Sequence, residues 1–446
     1  MKDDEQVTII KTSQTNHIVI DKRGIKMSSS DGKKQSTLWN PSYIRVGIIA
    51  VLANTAIQLF VSAFPLYLSD LHFSPGQIGL VAGGYTICTM IMRVFSGNLI
   101  DTKGRRIIGI LGIIIFAIPI IGFIGCSIIV LTILLRMIQG FGAAAATITT
   151  GTMAADVATK ERLVESIAYY GLFSNIATAI GPAIGIALID LPSPNWLFFT
   201  ALAVMIACFF LMNSMRYEST AEFQETRAES RRLEVQEEGE KKKKLSIWNF
   251  FEKSSLKAST SMFVISLATA APTTFISTFA AEQGLSGAGL FFTIEAFFLF
   301  SIRLCSNRIS RRMGNFGSLL LGFSIMTISF FLMACVQSNA LLFLTAVLYG
   351  IGSGFVYPIL NVLAVAPVPS HHRGKATSTY FAANDIGVGL GALGWGIVAD
   401  AAGYRSVFSL AGAVALLCLP LAWHFFRPGR QKLKELNSRA KQEAAK

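Results

Sequence analysis

Apolar runs long enough to cross a bilayer recur along this chain, each closed by a short polar break. A helix needs about 20 such residues to span a hydrocarbon core of about 30 Å. The runs fall near residues 45–67, 76–99, 107–125, 127–152, 165–189 and 196–215, and again near 258–280, 287–306, 316–336, 339–363, 374–399 and 404–426. The third and fourth almost touch, around Gly125 and Ser127. Twelve spans in two groups of six predict an all-α membrane protein built as two six-helix bundles. The chain then divides into a tail (1–43), a bundle (44–215), a linker (216–257), a second bundle (258–427) and a closing tail (428–446).

Charge is scarce and unevenly placed. Only 15% of residues are charged against 52% hydrophobic, whereas soluble domains carry roughly a quarter charged residues. A soluble globular enzyme is excluded on that ground. The net charge of +13 invites a nucleic-acid reading, but no basic patch is joined to an exposed aromatic platform, and none is expected to bind. Lysine and arginine stay on the cytoplasmic side of a membrane. With the N-terminus inside, the inner loops hold Lys103, Arg105, Arg106, Lys160, Arg162, Arg308, Arg311, Arg312, Arg373 and Lys375, and the outer loops only Arg405. Both termini are thus expected in the cytoplasm, with the positive charge facing anionic lipid. The polar 1–43 tail contains no apolar core, so the first span is expected to serve as targeting signal as well. Residues 216–257 carry ten basic and nine acidic residues and are too polar to build a core. Within them Ile247–Phe251 suits a surface helix with Trp248 at the lipid interface.

The six cysteines form no CxxC pair and read as buried apolar packing. The five histidines show no metal-ligand spacing. No nucleophile–base set, phosphate loop or cofactor motif emerges either, so no metal, cofactor or enzymatic activity is expected.

The two groups of six match at a constant spacing. Gly79 and Gly289, Arg93 and Arg303, and Gly104 and Gly314 are each 210 residues apart. The same spacing relates Gly140 to Gly350, Gly142 to Gly352, Gly181 to Gly391 and Asp190 to Asp400. A repeated six-helix unit places a substrate site where the halves meet, near mid-membrane, and lets access alternate as they rock.

Three motifs carry a family resemblance. The stretch Gly97-Asn98-Leu99-Ile100-Asp101-Thr102-Lys103-Gly104-Arg105-Arg106 resembles the loop 2–3 signature of the major facilitator superfamily. Gly97 permits close helix approach, Asp101 suits a helix N-terminus or a basic partner, and the basic residues fix orientation. The second-half counterpart, Asn307 to Gly314, has Arg311 where Asp101 stands. The resemblance therefore implies a gating role for Gly97, Asp101, Gly104, Arg105 and Arg106 alone. Arg136-Met137-Ile138-Gln139-Gly140-Phe141-Gly142 is similar to the RxxQGxG pattern of proton-linked members. Gly181-Pro182-Ala183-Ile184-Gly185 looks like the GPxxG motif of twelve-helix drug:proton antiporters. Read by chemistry alone, Gly181, Pro182 and Gly185 make a kink with a close-packing face. The resemblance, covering residues 44–427, implies an exporter, expected as a monomer in a bacterial plasma membrane.

A few ionisable residues lie inside the spans. Arg93 and Arg303 stand near cytoplasmic helix ends, where snorkelling is expected. Arg136, Glu295 and Asp385 lie about 13–15 Å deep, counted at about 1.5 Å per residue. A charge at that depth costs at least about 2.5–3.5 kcal/mol and marks a functional candidate. Either Glu295 or Asp385 is expected to carry a coupling proton, with Arg136 tuning the site or meeting an anionic part of the substrate. The bland alternative is a structural ion pair between Arg136 and one of the acids. Asn54, Gln58, Gln139, Tyr357 and Asn361 read as neutral cavity-facing groups or as interhelical hydrogen bonds. The first half offers no mid-membrane carboxylate, which departs from cation exporters holding one in helix one. The leading reading is a proton-coupled exporter of a small amphipathic compound, drug or secreted metabolite. Uptake symport of a small nutrient and a non-transporting membrane sensor are the alternatives.

Overall fold

The computed structural model describes residues 39–158, 162–215, 218, 252–368 and 373–427, together with three short strands in the N-terminal tail. Those strands, β1 (Ile9–Lys11), β2 (His17–Asp21) and β3 (Gly24–Met27), form one antiparallel sheet in chain order, Ile10 opposite Ile18 and Val19 opposite Lys26. They add a small β element to a chain otherwise read as helical. Most of the 216–257 linker, including the surface helix expected at 247–251, lies outside the described residues, as do residues 428–446.

Six helices form the first half: α1 (Pro41–Asp70), α2 (Pro75–Lys103), α3 (Arg105–Phe123), α4 (Ile129–Asp156), α5 (Leu163–Ile189) and α6 (Asn195–Asn213). The second half has α7 (Leu256–Glu282), α8 (Ala288–Ala334), α9 (Asn339–Val365) and α10 (Arg373–Phe426). Two of these are too long for one crossing and are broken by a left-handed glycine, α8 at Gly314 (φ 72°) and α10 at Gly403 (φ 77°). Counting their arms separately gives twelve helical segments among the described residues. Ten stretches there are long and apolar enough to cross a membrane, the last running through the Gly403 break.

Local sequence sets the helix starts. Asn40 accepts a hydrogen bond from the Tyr43 amide at 2.7 Å just ahead of Pro41. Ser74 and Gln77 form a reciprocal capping box ahead of α2, which satisfies amides that have no partner in the first turn. The near-contact of the third and fourth runs resolves at Gly125, whose φ of 70° turns the chain between α3 and α4.

The repeat extends from sequence into contacts. Gly104 and Gly314 share a left-handed, extended conformation (φ 96° and 72°) at equivalent turns, one that glycine adopts without steric penalty. A Cβ on Gly142 would collide with the backbone of Gly112 and Phe116, and one on Gly352 would meet Gly322 and Met326. Gly140 abuts the Tyr85 carbonyl, and Gly350 that of Glu295. Each of these partners is again 210 residues from its counterpart. The same helix pairs are therefore packed through the same small residues in both halves.

Between the halves, α2 packs on α10, α5 on α8 and α1 on α7. Toward the face opposite the start of α1, the α2–α10 seam is built from glycines: Gly76 and Gly79 meet Gly396, and Ser74 Oγ donates to Asp400 Oδ2 at 3.1 Å. Helices α1 and α7 are buried along much of their length. The outward surface is apolar, with Leu304 69% and Ile397 68% exposed, as lipid-facing positions must be. That surface corrects one expectation about the cysteines. Cys88, Cys208 and Cys418 are buried, but Cys305 and Cys335 are exposed and Cys126 is partly so, because thiols are apolar enough to face lipid.

Gly142→Ala and Gly352→Ala are expected to destabilise the protein equally, by about 1–3 kcal/mol each. Gly171→Ala, with nothing within 4 Å of its Cβ, is expected to have little effect. Unfolding midpoints in detergent check this.

Candidate functional site: a polar cavity between the halves

A cavity of about 360 Å³ opens between the bundles, walled by α1, α2 and α4 on one side and by α7 and α10 on the other. Helical spacing brings its polar groups together. On α2, Tyr85, Thr89 and Arg93 follow at four-residue intervals, and on α4, Arg136, Ala143 and Thr147 share one face. Asn54 and Gln58 come from α1, Thr273 and Thr274 from α7, and Asn384 and Asp385 from α10.

An ion pair crosses this cavity from half to half. Arg93 Nη1 lies 3.3 Å from Asp385 Oδ2, with the carboxylate side chain only 8% exposed. Asn384 donates to the other oxygen at 3.2 Å, and its own carbonyl accepts from Ser266 on α7 at 3.0 Å. This corrects the snorkelling expected of Arg93 at the cytoplasmic end of its helix. The side chain, 38% exposed, lines the cavity and reaches a carboxylate across the seam, which compensates its charge within the protein.

Arg136 also differs from the ion-pair alternative. Its side chain is 5% exposed and makes no ion pair with a described residue. The guanidinium sits 4.3 Å from the ring centroid of Tyr85, 5.1 Å from Phe64 and 5.4 Å from Phe60, and it donates to Gln139 Oε1. Cation–π contacts hold desolvated guanidinium groups in this way. Arg136 Nε and Gln139 Nε2 are buried donors without a hydrogen-bond partner among the described residues. The result is a cation at the cavity wall, cradled by rings and left without a counter-ion among the described residues.

Glu295 stands apart from both. It does not line the cavity, and its carboxylate makes no hydrogen bond or ion pair to another described residue. Tyr349 and Tyr357 of α9 lie within electrostatic reach of it, and Tyr357 lies beside Thr269. Tyr380 donates to the Tyr357 carbonyl at 2.9 Å. Of the three charges expected near the midplane, Arg136 and Asp385 share the cavity while Glu295 lies in a separate polar cluster of the second half. Asn361 is half-buried on α9, four residues beyond Tyr357. Asn54 donates to its own helix at Ala50, 2.8 Å away, and still lines the cavity. Arg303 leaves its expected snorkelling position as well, donating to Asn175 of α5 at 3.2 Å.

The remaining motifs have structural partners. Gly181 packs on Gln58 and Gly185 on Leu59 and Ala63, so the Gly181-Pro182-Gly185 stretch is the α1–α5 contact within one half. At the α2–α3 turn, Arg105 Nε bonds Asp156 Oδ2 at 2.9 Å and Arg106 Nη2 bonds Asn213 at 2.6 Å. The side-chain surroundings of Gly97 and Asp101 lie outside the described residues. Glu218 accepts from the Arg105 and Arg106 amides at 2.5 and 3.3 Å, an anion at a helix N-terminus where the dipole favours it. Nothing in the sequence set Glu218 apart from the other acids of the linker.

The Major Facilitator Superfamily family model matches residues 46–336 and 316–446. The chain belongs to the major facilitator superfamily. It is a multi-pass membrane transporter of that type. It is 24% identical to the staphylopine export protein of Staphylococcus aureus (strain Mu50 / ATCC 700699) over 394 residues, covering 85% of this chain and 95% of that protein. A shorter match, 29% identical over 130 residues, joins 29% of this chain to 33% of the quinolone resistance protein NorA of Staphylococcus aureus (strain MRSA252). Among solved structures, the nucleoside transporter NupG superposes with a TM-score of 0.67 at 16% identity, over 87% of this chain and all of that one. A bacterial homologue of the lysosomal transporter Spinster, inward-facing and occupied, gives 0.65 at 14% identity, over 85% of this chain and 95% of that one. These structural likenesses speak for the fold.

A double-mutant cycle on Arg93→Ala and Asp385→Ala is expected to return a coupling energy of about 0.5–3 kcal/mol, read from unfolding midpoints of the two single variants and the double variant.

Proposed function

We propose that this transporter is a proton-coupled exporter of a small amphipathic compound bearing an anionic group. The observation that carries this reading is the Arg93–Asp385 pair, which joins the two halves at the wall of their shared cavity. One proton on Asp385 cancels half of that pair, and the attraction between the bundles weakens at the point where they must separate. Desolvation and a neighbouring guanidinium act in opposite directions on a carboxylate, so each change in hydration as the cavity opens alters the affinity for the proton. That linkage is what coupling requires. Glu295, desolvated among tyrosines, is the second proton-carrying candidate.

Arg136 supplies the substrate contact. It is a buried cation on the cavity wall with no described carboxylate to neutralise it, and two buried donors there lack partners among the described residues. A carboxylate or similar anion on the substrate fits that deficit, while the rings of Phe60, Phe64 and Tyr85 suit an apolar portion. Export is favoured by the likeness to the staphylopine export protein over nearly its whole length. With both termini in the cytoplasm, the orientation the basic loops favour, the closed glycine seam between α2 and α10 lies on the outer side. The bundles 44–215 and 258–427 are the units that rock, and the 216–257 segment ties them together.

Reconstitution in liposomes with an imposed pH gradient tests this. Amphipathic anions are expected to move against the proton gradient with the wild-type protein, and Asp385→Asn to lose about tenfold or more of the gradient-driven rate. Glu295→Gln tests the second acid in the same assay. Proton-driven movement that survives both substitutions overturns the coupling assignment, and solute moving in the direction of the protons overturns export.

A further inference from the structure

The 210-residue spacing that relates Arg93 to Arg303 also relates Asn175 to Asp385. In the structure these four residues form two equivalent bridges. Arg93 of α2 reaches Asp385 of α10 at 3.3 Å, and Arg303 of α8 reaches Asn175 of α5 at 3.2 Å. Both bridges join the first half to the second, one on each of the two equivalent seams. Their geometry is shared and their chemistry is not: one arginine meets a carboxylate, the other a carboxamide.

The surroundings preserve that difference. Asp385 is faced by Arg93 of α2 and by the Asn384 amide, while Tyr85 of α2 lies within electrostatic reach of it. From α7 the neutral Ser266 hydroxyl donates to Asn384, and the neutral Thr273 and Thr274 line the same cavity. Arg93 is also within reach of Tyr170 of α5. Around Arg303 stand Tyr357 of α9, Tyr380 of α10 and Asn175 of α5, while Glu295, eight residues earlier on α8, acts on Tyr349 and Tyr357 of α9 and, among the described residues, not across the seam to α5. A carboxylate opposite a guanidinium loses its charge to a single proton. A carboxamide holds the guanidinium through a dipole and has no proton to gain at ordinary pH.

We propose that these are twin latches of which one alone is worked by protons: protonation of Asp385 loosens the α2–α10 seam, while Asn175 keeps the α5–α8 seam indifferent to pH. Asn175 is thus a positioning residue. It confines the effect of the coupling proton to one side of the molecule and leaves the other seam as the fulcrum. The Thr293 hydroxyl, which donates to the Ala179 carbonyl at 3.3 Å on that same seam, is equally insensitive to protons. The proposal rests on the proton-coupled reading above, but it is tested without any substrate.

The test is the pH dependence of distances across each seam, measured between spin labels on the full chain in lipid nanodiscs. One labelled pair replaces Phe95 and Phe381 (α2 and α10), the other Ile167 and Leu304 (α5 and α8). Over about pH 5 to about pH 8 the first distance is expected to change and the second to stay fixed. Asp385→Asn is expected to abolish the first change. Asn175→Asp is expected to make the second distance respond to pH, and Asn175→Ser to leave it fixed. A wild-type α5–α8 distance that itself follows pH overturns the proposal, with no variant needed. So does Asn175→Asp if its α5–α8 distance stays fixed while the α2–α10 distance still responds. Failure of proton-driven export in liposomes leaves these distances as they are, so the two readings fail separately.

Discussion

A charge inside a bilayer must find its partner within the protein, because the hydrocarbon around it offers neither water nor hydrogen bonds. In this transporter that constraint falls on a few side chains, and it shapes the contact between the halves. Arg93 and Asp385 stand on different bundles, so neither bundle alone could form this ion pair. Bringing them together satisfies both and fixes α2 against α10. The glycines at Gly76, Gly79 and Gly396 then let the same two helices approach closely toward one face. The cavity lies where polar groups displace this small-residue packing. An interaction that only stabilised the fold would sit better in the middle of one bundle. Placed at the wall of the cavity, it is exposed to whatever enters there.

The repeat makes departures from symmetry informative. Backbone packing is repeated closely, down to the glycine contacts of α3 with α4 and of α9 with the second arm of α8. Chemistry is not. Arg136 has Ala346 as its equivalent, and Tyr85 has Glu295. One half therefore carries a cation in an aromatic cradle, and the other an acid among tyrosines. The arginines of both seams are kept, but their partners are a carboxylate and an amide. Where two copies of a unit retain a residue, packing or bridging explains it. Where they diverge, the divergence assigns separate tasks to the two halves.

Much of the fold is legible in the sequence because its determinants are local or periodic. Span length, the polar breaks and the constant spacing of Gly104 and Gly314 require only a reading along the chain. Depth within a span is legible as well, which is why Arg136 and Asp385 stand out and do line the cavity. Pairing is not. Nothing in the sequence says that Arg93 faces Asp385 rather than the cytoplasm, since that choice depends on the relative rotation of α2 and α10. For the same reason Glu295, at a depth similar to Asp385, reads as a cavity residue and lies outside the cavity. The repeat does hold the missing signal. Applying the spacing to Asp385 leads to Asn175, and to the second bridge. Glu218 is out of reach for another reason, being one of nine acids in a segment without periodicity.

In the proposed mechanism the two halves share one cavity whose access alternates between the two sides of the membrane. The most direct measurement is the reactivity of single cysteines at Thr147 and Thr273, on facing walls of the cavity, toward a thiol reagent that cannot cross the membrane. With the native cysteines replaced and the protein oriented in vesicles, both positions are expected to react from either side, the favoured side switching as the pH on one face is changed. Reaction from a single side under every condition, or from neither, would contradict the account.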